Sequence, residues 1–215
     1  AEIVAQNNLS AYPNNEYTAE MYRVLGDADY HFGKYHEAMG AFEKYLANNK
    51  EEAPRRDALY MLGLSYYHSG VYTKAANTLG EVATGNDALS QNAYLHMGLS
   101  YLQMGDKNKA RMAFEQASAS NANMQIKEQA AYNYALCIHE TSYSAFGESV
   151  TVFEKFLNEF PNSQYVDKVS SYLVEVYMNT RSYEAALKSI ERITHPGAAI
   201  LEAKQKILFL SLIHI

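Results

Sequence analysis

The 215-residue chain is 48% hydrophobic and 13% aromatic, enough apolar side chain for a packed core, which excludes a disordered tail. Its net charge is -6, and its 18 Lys and Arg are scattered rather than grouped, which excludes an electrostatic grip on a phosphate backbone and with it nucleic acid as a partner. Cys137 is the only cysteine, so no internal disulfide can form, and no apolar run reaches the ~20 residues that span a bilayer.

Only 4 prolines and 11 glycines punctuate a chain otherwise rich in helix formers, which predicts an all-α fold. Residues 1–11 read as the close of a helix pair, ended by Tyr12-Pro13-Asn14-Asn15-Glu16-Tyr17. From there a large residue followed by a smaller one recurs at Leu25-Gly26, Leu62-Gly63, Met97-Gly98, Tyr134-Ala135 and Leu173-Val174, with spacings of 37, 35, 37 and 39 residues. Such a period belongs to stacked helix pairs. The predicted repeats cover 19–52, 56–89, 91–124, 128–163 and 167–195 of a single array over 1–215, with partial helices at 1–11 and 198–215.

Within each repeat the apolar landmarks Phe42, Leu79, Phe114 and Ile190 follow the small residue by 16 positions. Between them lies a turn: Gly33-Lys34-Tyr35, Gly70-Val71-Tyr72, Gly105-Asp106-Lys107 or Arg181-Ser182-Tyr183. Glycine there supplies a left-handed helix stop. Ala38, Ala75, Ala110 and Ala186 come three residues after each turn, where only a small side chain lets two helices approach. In the fourth repeat Phe153 follows Ala135 by 18, so two extra residues fall within Thr141–Gly147, where Tyr143 and Phe146 form a secondary candidate contact. A second proline linker, Phe160-Pro161-Asn162-Ser163-Gln164-Tyr165, repeats the first. Beyond Pro196 the last helix ends on Leu208–Ile215, apolar except for Ser211 and His214, a patch expected to promote self-association. Leu210–Ile215 also reads as a translated sequencing-adapter end, the expectation being a gene fragment that runs into adapter.

These residues resemble the tetratricopeptide repeat. Tyr22, Leu25, Gly26, Gly33, Tyr35, Ala38 and Phe42 carry the resemblance in the first repeat, and Leu62, Gly63, Tyr66, Gly70, Tyr72 and Ala75 in the second. Tyr94, Gly98, Tyr101, Gly105, Ala110, Phe114 and Ala117 carry it in the third. The resemblance implies a right-handed α-α superhelix of about five helix pairs plus a terminal helix. It implies a concave groove lined by first helices, and by the family's groove positions the candidate partner-binding residues are Arg23, Asp27, Tyr30 and His31, then Tyr60, Leu64, Tyr67 and His68. Leu95, Leu99, Gln103, Tyr132, Leu136 and His139 complete the set. Tyrosines there suit protein recognition, since they bury large area at low entropic cost. Arg23 and Asp27 stand where a carboxylate clamp would need Lys and Asn, and the aspartate would repel a carboxylate. The linkers are similar to those of bacterial cell-envelope and Bacteroides-like members, which implies a periplasmic or envelope location, with the cytoplasm as alternative.

No His/Cys spacing makes a zinc site, no phosphate-binding glycine loop occurs, and Cys137 and His139 point to different sides of one helix. The expectation is therefore a non-enzymatic protein-interaction scaffold without cofactor or metal, receiving a partner peptide or helix. The alternatives are a self-assembling segment of a longer repeat protein and the accessory repeats of an enzyme.

Overall fold

The computed structural model describes residues 2–141, 147–180 and 182–213. Tyr143 and Phe146 of the fourth-repeat insertion, Arg181, His214 and Ile215 lie outside the described residues. Every regular element among the described residues is an α-helix. A lone helix, α1 (Glu2–Ala11), precedes α2 (Thr18–His31) with α3 (Tyr35–Asn48), α4 (Arg56–His68) with α5 (Tyr72–Val82), and α6 (Ala88–Gln103) with α7 (Lys107–Ala119). Then follow α8 (Met124–Thr141) with α9 (Glu148–Glu159), α10 (Val166–Asn179) with α11 (Tyr183–Ile190), and α12 (Ala198–Ile213). The chain divides into two compact units, residues 1–126 and 127–215.

In the first unit the turns fall where the glycines put them. Gly33, Gly70 and Gly105 have φ of 74, 77 and 76°, a conformation that costs a residue with a Cβ but not glycine. It lets the next N–H reach back, from Lys34 to the Asp29 carbonyl, Val71 to Tyr66 and Asp106 to Tyr101, a Schellman closure of helix-end carbonyls. The chain then reverses and lays each second helix against its first. A Cβ built on Gly63 would sit 2.6 Å from Leu79 Cγ, so the close packing predicted from the spacing requires glycine there. Ala38, Ala75 and Ala110 are fully buried on the opposing helices, beside Phe42, Leu79 and Phe114.

Polar side chains at the start of the repeats fasten the far end of each pair. Arg56 Nε donates to the Val82 carbonyl at 2.8 Å, and the guanidinium also pairs with Asp87. Gln91, 1% exposed, donates from Nε2 to the Ala117 and Ser120 carbonyls at 3.0 and 2.8 Å and accepts the Asn123 N–H at 2.7 Å. The first repeat is held otherwise: the Tyr45 hydroxyl accepts the Arg55 N–H at 3.0 Å.

The second unit is built around Phe153, Phe156, Leu173, Tyr177 and Ile190, all at most 2% exposed. Glu154, 6% exposed, is held between Ser189 and Arg192, whose Nε lies 2.9 Å from it. Ile200, Ala203 and Ile207, at i, i+3 and i+7, form the buried face of α12, which packs on α10 and α11. Leu201, Leu208, Phe209 and Leu212 are exposed. Among the described residues no helix is long and apolar enough to cross a membrane.

Candidate protein-binding surface

In the first unit α2, α4 and α6 lie side by side, so the last turns of α2 and α4 carry neighbouring rings. Tyr30 sits edge-on to Tyr35 at 5.3 Å and 6.0 Å from His68, and Tyr35 stacks on His68 at 4.3 Å with 19° between the planes. Tyr67 meets His68 edge-on at 5.2 Å, Tyr72 at 5.9 Å and His96 at 5.5 Å. His31 joins the near end, 6.1 Å from Tyr30. The result is one ring ladder crossing three repeats, with His31 and His68 exposed and the other rings half-buried. Edge-to-face and offset contacts of this kind add to plain area burial, so the rings arrive ordered.

Burial raises the Tyr30 and Tyr67 phenols above their ordinary pKa and lowers the imidazoles of His68 and His96 below theirs. All four are therefore neutral at pH 7, and the ladder presents ring faces and hydroxyls rather than charge. No group of three or more His, Cys, Asp or Glu among the described residues is arranged to hold a metal ion.

Of the residues proposed from the sequence, Tyr30, His31, Tyr67 and His68 come together in this ladder. Arg23 and Asp27 lie one to two turns back on α2 and are engaged with each other at 2.5 Å and, for Arg23, with Glu20 at 2.6 Å. Burial raises the Asp27 carboxyl. Tyr60 is half-buried against the cluster of Leu79, Val82 and Ala93, where burial pushes its phenol up to about 12. Leu99 is half-buried and Gln103 exposed on α6.

Three expectations are corrected. Leu64 and Leu95 are 6% and 3% exposed; α4 is flanked by both α2 and α6, and Leu64, next to the tightly packed Gly63, is core. Tyr132 is 7% exposed because Tyr165, at the end of the second proline linker, stacks on it at 4.1 Å and 8°. In the same unit Leu136 packs against the core, and His139, half-buried, touches Phe153 and Tyr172; its buried Nδ1 has no hydrogen-bond partner among the described residues.

Sequence reasoning missed Tyr35, Tyr72 and His96 as ladder members. The sequence places Tyr35 and Tyr72 at the turns, yet a residue two positions past a Schellman glycine opens the second helix directly beside the last turn of the first. That register was the available signal.

Residues 31–117 match the family model described as anaphase-promoting complex, cyclosome, subunit 3. No curated protein sequence matches the chain. Among solved structures, a tetratricopeptide repeat protein from Parabacteroides merdae is 19% identical, covering 99% of this chain and 79% of its own, with a TM-score of 0.57. YrrB, described as a TPR protein with an unusual peptide-binding site, is 15% identical over 95% of this chain and 100% of its own, with a TM-score of 0.63. Nearly identical TPR-like repeats of a putative kinesin light chain from Podosopora anserina are 16% identical over 92% and 99%, with a TM-score of 0.55.

Proposed function

For a chain with the tetratricopeptide-repeat fold, we propose a protein-interaction scaffold that receives an extended peptide segment of a partner on the ring ladder of its first unit. The observation that carries this reading is the ladder itself: Tyr30, Tyr35, Tyr67, Tyr72, His68 and His96 in one continuous set of ring contacts. A core would hide those rings, whereas here they are half-exposed or exposed. Ordered, uncharged aromatic surface with free hydroxyl edges is what interface hot spots are made of. Nothing in the ladder is a nucleophile poised beside a base, so its role is to bind. The paired proline linkers support a bacterial cell-envelope setting.

The test is selection from a displayed random-peptide library, followed by calorimetry on the enriched peptides. Replacing Tyr30 and Tyr67 together by alanine should weaken binding by about 2 kcal/mol or more, the scale of a hot-spot loss. Tyr66→Ala is the stability control, because Tyr66 is 6% exposed and its hydroxyl donates to Glu43 at 2.7 Å. Undiminished affinity in the double variant, or no enrichment over background, would refute the ladder as the site.

A second reading rests on α12, whose outer face exposes Leu208, Phe209 and Leu212 at 43, 65 and 73%. In that reading the helix docks onto a second copy of the chain. Sedimentation should then show concentration-dependent association that Leu208→Gln with Leu212→Gln abolishes, and a wild-type chain monomeric at high concentration would dismiss it.

A further inference from the structure

Two repeats share a device that the first repeat lacks. The 35-residue offset that carries Gly63 onto Gly98 and Leu79 onto Phe114 also carries Arg56 onto Gln91 and Val82 onto Ala117. The two bonds already described, Arg56 Nε to the Val82 carbonyl and Gln91 Nε2 to the Ala117 carbonyl, are therefore the same bond in successive repeats. In both, a planar nitrogen head group plugs the space between the start of the first helix and the end of the second. The carbonyls there belong to the last turn of the second helix, where donors from outside the helix are accepted, and the Val82 carbonyl takes the Thr84 N–H at 2.8 Å beside the guanidinium.

In the first repeat the same positions hold Ala19 and Tyr45. Alanine offers no donor and no volume, and a cavity of about 320 Å³ opens beside it, bounded by Tyr45, Asn48, Asn49, Glu51 and Arg55. Asn48 and Glu51 correspond to Ser120 and Asn123, the other two residues that the Gln91 carboxamide ties down. In the third repeat a cavity of similar volume, about 330 Å³, lies at the equivalent place and reaches Ser120 but not Ala117 or Asn123, the two residues that the Gln91 carboxamide bonds on that side; what the first repeat adds is the opening onto Tyr45 and Glu51. Of the charged walls in the first repeat, Glu20 is already paired with Arg23 and Arg55 with Asp57, which leaves Glu16 and Glu51 against Lys50 and favours a cation over an anion.

We propose that this cavity is a socket for an arginine side chain of a partner protein, which takes the place that Arg56 takes within the chain one repeat later. A guanidinium brings the planar, forked donors that the Arg56 precedent uses, where a lysine ammonium would bring only a point charge. The Tyr45 carbonyl and the Glu51 carboxylate are its acceptors. Ala19 lies in the first turn of α2 and Tyr30 in the last, about 16 Å along the axis, so the socket is separate from the ring ladder and stands or falls independently of it.

The probe is Nα-acetyl-arginine amide, titrated into the isotopically labelled full chain and followed by amide chemical shifts. Saturable shifts are expected at Ala19, Asn49 and Glu51, with the lysine analogue binding about tenfold more weakly or worse. Ala19→Gln supplies its own plug, so it should melt higher than wild type and lose those shifts. Gln91→Ala, which empties the equivalent space in the third repeat, should acquire arginine-induced shifts around Ala117 and Ser120. Shifts spread over the acidic surface, shifts that persist in Ala19→Gln, or no shifts in wild type would each overturn the proposal. Should Ala19→Gln not fold, Gln91→Ala still decides: a variant that folds and ignores arginine overturns it.

Discussion

Gln91→Leu isolates what the plug contributes in the third repeat, because leucine keeps most of the volume and removes all three hydrogen bonds. The groups left behind are not equal. Ala117 is fully buried, so its carbonyl has no route to water and should cost about 1–3 kcal/mol when orphaned. Ser120 is half-buried and Asn123 exposed, so their carbonyl and N–H can be rehydrated, for about 0.5–1.5 kcal/mol in total. The expected loss is about 2–4 kcal/mol in urea unfolding, with a fall in melting temperature of several degrees. Hydrogen exchange locates the effect: the amides from Asn123 to Ile126, at the entry to α8, should lose protection while those of α2 and α3 do not. Gln91→Glu should be worse at neutral pH, since its carboxylate would face two carbonyl oxygens, and should recover on acidification as it becomes a donor. If Gln91→Leu is as stable as wild type, the bonds add nothing beyond filling space, and the plug argument falls.

Gly63→Ala should cost roughly 1–3 kcal/mol by overpacking, since its Cβ would meet Leu79 Cγ at 2.6 Å; combined with Leu79→Ala the cost should be clearly less than the sum, and strict additivity would mean that the two do not touch. Burial lowers the pKa of His68 and His96, so below the free imidazole value of about 6.5 the unfolded chain binds more protons than the folded one and stability must fall as pH drops from 7 toward 5. Replacing both by glutamine should flatten that slope, and an unchanged slope would show that they are not its source. Ile207→Ala, on the buried face of α12, should cost about 2–5 kcal/mol, whereas Leu212→Gln, 73% exposed, should stay within about 0.5 kcal/mol; equal effects would mean that α12 is not docked by that face.

The helix pairs were legible because what specifies them is local and repeated. Gly63 and Leu79, sixteen residues apart, meet because one glycine stop at Gly70 fixes the reversal between them. The same grammar places Gly26 against Phe42 and Gly98 against Phe114, so spacing and size alone carried that part of the fold. Burial of a candidate site residue is not local in this sense. Tyr67 and Tyr132 look alike as first-helix tyrosines, and both pack on core side chains, yet Tyr67 keeps a half-exposed ring at its helix end while Tyr132 is capped by Tyr165. No period predicts where a linker lays its last aromatic ring.

The plug was invisible for a different reason. Arg56, Gln91 and Glu128 share a repeat position but no chemical class, so comparing repeats residue by residue marks the position as variable. Glu128 accepts the Ser163 hydroxyl at 2.5 Å, where Arg56 and Gln91 donate to carbonyls. What the position needs is a head group long enough to reach the end of the second helix, with a polarity that matches whatever the linker presents there. Several residue types meet that need, and so does a tyrosine hydroxyl supplied from the other side, as Tyr45 supplies it in the first repeat. Identities of 15–19% with proteins of the same fold are understandable on these terms: the turn glycines and the small–large pairs must recur in kind, while the polar fastenings between repeats need only be satisfied. A position that supplies no head group of its own, such as Ala19, then becomes informative because the repeats beside it show what would fit there.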